Sequence, residues 1–229
     1  MPIPRTLNQD FFKKWNREMA YVLGFFAADG NMIRNNRGAH FIAFYNCELS
    51  ILRFVRMSLG SSHKIAKRKL KPKHTQCYQL QIGSKEIFKD LLTLGMSPAK
   101  SKIILFPKIP NRYVSDFIRG YFDGDGCVYL RHLKFADRKR KRWIFLTLFT
   151  SGSKLFLEQL HVVLKKHGIQ GGCIRIKKRG FDLSLSMRDS LALFHLMYDT
   201  RTTTGLFLPR KYSIFRKAIK ILYPDAAVV

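Results

Sequence analysis

Apolar residues recur along this chain with the period of an amphipathic helix in four segments. Helical spacing predicts helices over 48–59, 84–94, 153–167 and 188–198. Gly60 and Gly168 follow the first and third of these segments, as is common just past a helix end. The four helices therefore form two similar pairs, one in each half of the chain.

Other segments are strand candidates, which include the mixed apolar runs 40–46 and 143–150 and the alternating runs 76–82, 172–179 and 181–186. In 76–82 the alternation sets Tyr78, Leu80 and Ile82 towards a core and Gln79 and Gln81 on the opposite face. Phe181, Leu183 and Leu185 form a second inward set, and Ile174 and Ile176 are set against Arg175, Lys177 and Arg179. Neither alternate face of 143–149 is polar, so its orientation stays open.

The two halves are related by an internal repeat. YVLGFFAADGNMI (21–33) aligns with FIRGYFDGDGCVYL (117–130), which places Asp29 and Asp125 at matching positions 96 residues apart. The same elements follow each copy, so each half reads αββαββα, and we expect an α+β fold of two pseudo-twofold repeats. The expected division is 1–106, a Pro-rich linker over 107–112, and 113–229.

Small residues are spaced four apart in both copies of the repeated segment. Gly24 and Ala28 share one helix face, as do Gly120 and Gly124. Small residues at this spacing let two helix backbones approach closely. If the two helices pair, Asp29 and Asp125 meet at their common end, where two carboxylates repel and a divalent cation such as Mg²⁺ would relieve the repulsion.

Composition indicates a folded protein with a polyanionic partner. The chain has 42 Lys plus Arg against 15 Asp plus Glu, a net charge of +27, yet 46% of its residues are apolar and 13% aromatic. A disordered basic tail would lack these apolar residues, and the charge points to nucleic acid. The apolar stretches are too short to span a membrane, and no secretion signal begins the chain. We expect an intracellular protein of a prokaryotic cytoplasm or nucleoid, or of an organelle.

The four cysteines are isolated from one another in the sequence. Cys47, Cys77, Cys127 and Cys173 form no C-x-x-C pair, which argues against structural zinc. We expect four reduced, mostly buried thiols.

LGFFAADG and IRGYFDGDG resemble the two signature helices of a single-chain LAGLIDADG homing endonuclease, and the likeness extends over about residues 15–218. It implies antiparallel sheets that form a DNA-binding saddle with helices packed behind. It also implies that Asp29 and Asp125, with the main-chain carbonyls of Ala28 and Gly124, lie at the metal. Ala27 departs from its counterpart Asp123, a difference that suggests unequal halves.

Further site residues follow from the same resemblance. Lys100 and Lys211, each in a Pro-x-Lys element, match the basic residue near the scissile phosphate, and Asn46 and Ser151 (or Thr150) are candidates for organising water. Basic clusters and outward strand positions give the DNA-binding candidates: Asn35, Arg37, Lys64, Lys67, Lys69, Gln79, Gln81, Arg131, Arg138, Arg140, Arg175, Lys177 and Arg179.

The function that the resemblance implies is Mg²⁺-dependent cleavage of double-stranded DNA by a monomer. Such an enzyme binds a long, asymmetric site and hydrolyses one phosphodiester on each strand, leaving 3′ overhangs. The alternative is an intron RNA maturase, or a DNA- or RNA-binding regulator on the same scaffold. Without a terminal His-Asn splicing junction in this sequence, we expect an intron-encoded or free-standing protein of a mobile element rather than an intein.

Overall fold

The computed structural model describes residues 5–68, 75–134, 136, 140–198 and 206–224, and its first half has the predicted order of elements. These elements are α1 (Arg17–Asp29), β1 (Gly30–Arg34), β2 (His40–Asn46), α2 (Leu49–Ser58), β3 (Ile65–Lys67), β4 (Tyr78–Gly83) and α3 (Lys85–Thr93). Asn16 and Ser84 cap α1 and α3 by accepting hydrogen bonds from main-chain N–H groups three residues later. The αββαββα order is confirmed here.

The second half repeats this order and then adds one helix. Its elements are α4 (Val114–Asp125), β5 (Gly126–Leu133), β6 (Arg142–Ser151), α5 (Lys154–Lys166), β7 (Cys173–Lys177), β8 (Gly180–Ser186), α6 (Met187–Tyr198) and α7 (Pro209–Leu222). The sequence analysis did not anticipate α7. No helix within the described ranges is long and apolar enough to cross a membrane.

Each half contains one four-stranded antiparallel sheet, and the two sheets have the same topology. The strand orders are β1-β2-β4-β3 and β5-β6-β8-β7. Gly30 pairs with Phe44 in the first sheet, and Gly126 pairs with Phe149 in the second. Because the registers correspond pair by pair, the repeat detected in the sequence is also a structural repeat.

Helices cover one face of each sheet and leave the other face open. Leu80, Ile82, Leu183 and Leu185 are buried on the covered face, as predicted. In β6 the buried positions are Phe145, Thr147, Phe149 and Ser151, so Ile144, Leu146, Leu148 and Thr150 lie on the open face. This arrangement settles the orientation that the apolar sequence of β6 left undecided.

Ile176 lies on the face opposite Arg175 and Lys177, as the alternation predicts, but an apolar residue on that face is expected to be buried and it is not. Ile176 pairs with Phe181 on the covered side, but it is 83% exposed. The pair lies next to the β7–β8 turn, beyond the last fully buried residue of that register, Leu183. Alternation therefore gave the correct face of Ile176 but not its burial.

The cysteine prediction was also wrong. Asn46 of β2 pairs with Tyr78 of β4, so Cys47 and Cys77, the next residues beyond this pair, lie opposite each other and form a disulfide. Cys127 and Cys173 are free thiols, but both are exposed. A cysteine just outside a strand shows no pairing signal in the sequence, because its partner is set by strand register.

The two repeats join through α1 and α4, which lie side by side and run in the same direction. A methyl group on Gly24 would overlap the main-chain carbonyl of Phe117, and one on Gly120 would overlap that of Tyr21. Further along, Gly124 lies against Ala28. Glycine thus permits backbone contact between the helices, and the buried residues of both halves form one core.

The close approach of α1 and α4 can be tested with Gly24→Ala and Gly120→Ala. We expect each variant to lose at least ~3 kcal/mol of unfolding free energy, because the added methyl meets main chain that cannot yield without separating the helices. Urea denaturation measures the loss. Gly83→Ala is the control, since a methyl there would lie 3.3 Å from the ring of Phe41 and 4.0 Å from the main-chain carbonyl of His40. Equal losses in all three variants would contradict the proposed packing role.

Candidate metal centre and nucleic-acid interface

Asp29 and Asp125 are the last residues of α1 and α4, at the same end of the paired helices. In each case the following glycine ends the helix, with Gly30 N–H donating to Phe26 and Gly126 N–H to Phe122. A Cβ on Gly124 would lie 3.5 Å from Asp29 Oδ2, so the Asp29 carboxylate sits beside main chain of α4. The helix packing therefore brings the carboxylate of one repeat against the signature helix of the other.

Asp29 is held by a carboxamide from β2. Asn46 Nδ2 donates to Asp29 Oδ2 at 2.8 Å, while Asn46 Oδ1 accepts from the main-chain N–H of Glu48 at 2.9 Å. Burial, reinforced by the negative charge of Asp125, raises the pKa of Asp29 to about 6 against the lowering effect of Asn46. Asp29 is thus a carboxylate that is costly to ionise without a further cation.

Asp125 has a different environment. Burial raises the pKa of its carboxyl, and the positive charges of Lys100, Lys211 and Lys177 oppose that rise. Ser151, the register equivalent of Asn46, is buried and accepts a hydrogen bond from the N–H of Ser153 at 3.1 Å. Asn46 and Ser151, the two candidates for organising water, therefore differ in their contacts. Both accept from the N–H two residues later, but Asn46 also donates to the Asp29 carboxylate.

Lys100 and Lys211 lie buried at the ends of the signature helices, with 5% and 4% of their surface exposed. Lys100 Nζ donates to the carbonyl of Gly30. Lys211 Nζ donates to the carbonyls of Phe122, Asp123 and Gly126 at 2.6, 2.9 and 2.6 Å. Both ammonium groups thus satisfy main-chain carbonyls at a helix C-terminus, where positive charge is favourable.

Burial lowers the pKa of both lysines. The pKa of Lys100 falls to about 8 in spite of the raising effect of Asp125 and Asp29. The pKa of Lys211 is also lowered, chiefly by burial, with Asp123 acting in the opposite direction. Two carboxylates and two ammonium groups therefore share one poorly solvated site, in which the lysines offset part of the negative charge.

The two lysines lie on different kinds of element. Lys100 begins a short 3-10 turn over Lys100–Lys102, after Ala99 in the left-handed region at φ 54°. A non-glycine residue with this backbone conformation is uncommon and strained. Lys211 instead lies in the first turn of α7, after Pro209. The paired Pro-x-Lys elements resemble each other in sequence but not in structure.

Asp123 is a functional candidate whose contacts the sequence reasoning did not foresee. It is 1% exposed, and its Oδ2 accepts from Tyr21 Oη at 2.7 Å and from the N–H of Leu208 at 2.9 Å. Burial raises its pKa to about 6, against the lowering effect of Tyr21, Lys211, Leu208 and Arg119. It lies in the core rather than beside Asp29 and Asp125, and Ala27 is its counterpart.

The open face of the second sheet carries a charged cluster near Asp125. Lys177 Nζ lies 2.7 Å from Asp182 Oδ1 and 3.0 Å from Thr150 Oγ1. The register puts Arg175 opposite Asp182 on the same face, and Arg131 lies over the ring of Tyr129 with 5.9 Å to its centroid. These side chains belong to all four strands of the second sheet and form one polar surface.

The open face of the first sheet differs from this pattern. Gln79 donates to Gln81 at 2.8 Å, and the Arg68 guanidinium lies 4.8 Å from the ring centroid of Tyr45. Sequence reasoning had not selected Arg68, whose position on this face depends on the register of β3. Lys67 pairs with Tyr78 and so lies on the covered side of the sheet plane, although its side chain is exposed.

The remaining DNA-binding candidates lie at strand ends and hairpin turns, and all of those described are exposed. They are Asn35, Arg37, Lys64, Arg140 and Arg179. Asn35 Oδ1 accepts from the N–H groups of Arg37 and Ala39, which fixes the β1–β2 turn. Lys69 and Arg138 fall outside the described residues.

The residues at the helix ends fit a hard divalent cation. The two partly buried carboxylates carry like charge, and the negative charge of Asp125 adds to burial in raising the pKa of Asp29. Carboxylate and carbonyl oxygens are the ligands that Mg²⁺ and Ca²⁺ prefer. Within the described ranges no group of three or more His, Cys, Asp or Glu residues could hold a metal ion. The site therefore offers two carboxylates and leaves other positions for carbonyl, water or phosphate oxygens.

Comparison with known proteins gives a family match in both repeats. The profile of the LAGLIDADG-like domain matches residues 16–94 and 112–195. A probable translation initiation factor IF-2 of Thermococcus kodakarensis is 32% identical over 154 residues, which cover 64% of this chain and 12% of that protein. A reverse gyrase of Methanocaldococcus jannaschii is 34% identical over 91 residues, covering 40% of this chain and 5% of the gyrase. The similarity thus concerns a small part of each of these proteins.

Solved structures with the same fold include homing endonucleases in complex with DNA. The I-SmaMI LAGLIDADG homing endonuclease bound to cleaved DNA has a TM-score of 0.61 and 15% identity, with 94% of this chain and 92% of that chain covered. I-WcaI bound to its DNA recognition sequence has a TM-score of 0.58 and 13% identity, with 90% and 91% covered. I-SmaMI has also been solved on uncleaved DNA in the presence of calcium ions. These likenesses confirm the two-repeat fold.

The raised pKa of Asp29 predicts a pH-dependent gain in stability for Asp29→Asn in metal-free buffer. The folded chain holds the Asp29 proton up to about pH 6, against an ordinary value of 3.8, so its stability falls as pH rises between these values and stays reduced above them. We expect the free energy of unfolding of Asp29→Asn to exceed that of the natural chain by up to ~3 kcal/mol at about pH 8. At about pH 4 we expect no difference.

Urea denaturation in EDTA at the two pH values measures this difference. Asp10→Asn serves as the control, because Asp10 is an exposed carboxylate paired with exposed Lys13 and should change stability little at either pH. A gain of the same size at both pH values would show that the buried charge of Asp29 is not its cause.

Proposed function

The chain belongs to the LAGLIDADG-like domain family, and from this premise we propose that it is a site-specific, divalent-metal-dependent endonuclease of double-stranded DNA. The observation that carries the proposal is the meeting of Asp29 and Asp125 at the end of the paired helices α1 and α4. Asp29 directly precedes β1 and Asp125 directly precedes β5, the first strands of the two open-faced sheets.

Asp29 and Asp125 would hold the metal, with the main-chain carbonyls of Ala28 and Gly124 beside them. When bound, Mg²⁺ supplies Lewis-acid polarisation of a phosphodiester and activation of an attacking water. The chain's own contribution is to place the two partly buried carboxylates beside two fixed ammonium groups. Asn46 orients the Asp29 carboxylate through its 2.8 Å hydrogen bond and presents its amide next to the site.

Lys100 and Lys211 stabilise negative charge at the centre of the site. Their ammonium groups are fixed to the carbonyls that end α1 and α4, so they provide positive charge without the freedom of a surface lysine. Fixed positive charge in a poorly solvated site favours the developing charge of a phosphoryl-transfer transition state. One lysine serves each repeat, which suits hydrolysis of one phosphodiester on each strand. The product we propose is a staggered cut with 3′ overhangs.

The open faces of the sheets would bind a long DNA site. Exposed Arg175, Arg179 and Arg131 supply positive charge for phosphates, while Gln79 and Gln81 present amides suited to adenine. The equivalent positions of the two sheets carry different side chains, such as Gln79 in one and Asp182 in the other. We infer an asymmetric target, bound by a monomer since one chain contains both repeats.

Cleavage can be tested by selecting cut sites from a randomised DNA library in Mg²⁺. The natural chain should yield one cut position on each strand of a shared sequence, and Asp29→Asn or Asp125→Asn should slow cleavage at least ~100-fold, since each removes a metal ligand. Replacement of Mg²⁺ by Ca²⁺ is a second arm, which should permit binding. Sequencing of the product ends reports position and overhang.

Asp10→Asn is the control, because it makes the same carboxylate-to-carboxamide change at an exposed residue paired with Lys13 and leaves Asp29 and Asp125 in place. Retained cutting by the Asp29→Asn, Asp125→Asn double variant would overturn the metal assignment. Absence of any cut site, together with tight binding of intron RNA, would instead favour the maturase function.

The salt dependence of DNA binding tests the proposed interface. Arg175→Ala, on the open face, should reduce the slope of log affinity against log salt by about 1, because one phosphate contact is lost. Arg53→Ala is the matched control, since Arg53 is exposed on α2, which covers the opposite face of the first sheet. Fluorescence anisotropy at several salt concentrations measures both slopes, and equal changes would place DNA elsewhere.

A further inference from the structure

Asp123 is a buried carboxylate that the metal centre does not use. It is 1% exposed and lies two residues before Asp125 in α4, while the matching residue of the first repeat is Ala27. A buried carboxylate is costly unless its oxygens bind donors. Since the first repeat folds without a carboxylate at this position, we expect the contact of Asp123 to lie in an element that the second repeat has and the first lacks.

That unique element is α7, and Asp123 contacts its beginning. Asp123 Oδ2 accepts the main-chain N–H of Leu208 at 2.9 Å, and Leu208 is the N-terminal cap residue of this 14-residue helix. The apolar side chain of Leu208 cannot itself accept a capping hydrogen bond. The carboxylate of Asp123 supplies an acceptor from α4 instead, and its negative charge suits a helix N-terminus.

A second contact between the same two helices runs in the opposite direction, from Lys211 in the first turn of α7 to the end of α4. Lys211 Nζ donates to the main-chain carbonyl of Asp123 at 2.9 Å, as well as to those of Phe122 and Gly126. The end of α4 thus holds the start of α7 through the Asp123 side chain, and α7 holds the end of α4 through Lys211. Together these two contacts fix the position of the Lys211 ammonium group.

The first repeat places its lysine at the end of α1 by a different element. Lys100 is carried by a 3-10 turn, and the preceding Ala99 adopts a left-handed conformation at φ 54°. The lysine of this repeat does not lie in the first turn of an α-helix, so a carboxylate at the position of Ala27 would have no helix N-terminus to cap. The difference between Ala27 and Asp123 follows from the different elements that deliver the two lysines.

We propose that Asp123 is a positioning residue for Lys211, which holds the first turn of α7 so that the ammonium group stays at the end of α4. The effect on catalysis rests on the proposed endonuclease function. Under that function, Asp123 supports hydrolysis of the strand that depends on Lys211 and leaves the strand that depends on Lys100 unaffected.

The structural part of the proposal is tested by amide hydrogen exchange. Asp123→Ala should speed exchange at Leu208 and in the first turn of α7 at least roughly tenfold, because the capping acceptor is lost. Asp123→Asn should retain much of the protection, since its carboxamide oxygen can still accept from Leu208. Tyr21→Phe is the matched control: it removes the other hydrogen bond to Asp123 Oδ2 but leaves the contact to Leu208.

The catalytic part is tested by strand-specific nicking of a plasmid with the selected target. Lys211→Met and Lys100→Met define which strand depends on each lysine. Asp123→Ala should slow only the strand that depends on Lys211, by ~10–100-fold, because a small displacement of a fixed charge weakens its effect strongly. Asp123→Asn should restore most of this rate, and Tyr21→Phe should leave the ratio of the two strand rates unchanged.

Three results would overturn the proposal: unchanged exchange at Leu208 in Asp123→Ala, equal slowing of both strands, or the same strand ratio in Tyr21→Phe as in Asp123→Ala. If the natural chain nicks no DNA, the endonuclease function fails, and hydrogen exchange alone decides whether Asp123 holds α7. The two failures are therefore distinguishable.

Discussion

Backbone contact between α1 and α4 is the constraint on which the rest of the structure depends. Gly24 and Gly120 allow each helix to touch the main-chain carbonyls of the other, and this contact joins the two repeats into one core. Because the helices run in the same direction, their final residues, Asp29 and Asp125, come to the same end. The geometry that unites the repeats is therefore also the geometry that builds the site.

This packing creates an electrostatic problem that the lysines partly offset. Two carboxylates and the carbonyl ends of two helices place negative charge in a poorly solvated region. Lys100 and Lys211 donate to carbonyls at these ends, and burial lowers the pKa of both lysines. Even so, the pKa of Asp29 stays raised to about 6. The residual strain on the carboxylates is what a divalent cation would relieve.

Periodicity and the repeat predicted most of the fold, because strand alternation and helical spacing are local properties of the chain. They gave β2 and placed Leu80 and Ile82 in the core. They did not give α7, since the matching element of the first half is a 3-10 turn over Lys100–Lys102, so the repeat contains no equivalent helix. Nor could they reveal the Cys47–Cys77 disulfide, which depends on the register between β2 and β4.

In the candidate site, too, local sequence pattern placed some residues, whereas contacts between distant segments placed others. This difference explains why the two halves of the site are unlike. The motif located Asp29 and Asp125, because their spacing from the helix glycines is local. The partners of these residues come from distant segments: Asn46 contacts Asp29, whereas Lys177 acts on the pKa of Asp125. A duplicated chain keeps the paired helices alike, since each must fit the other, but the surrounding elements are free to diverge. Each repeat can then solve the same problem of buried charge with different side chains.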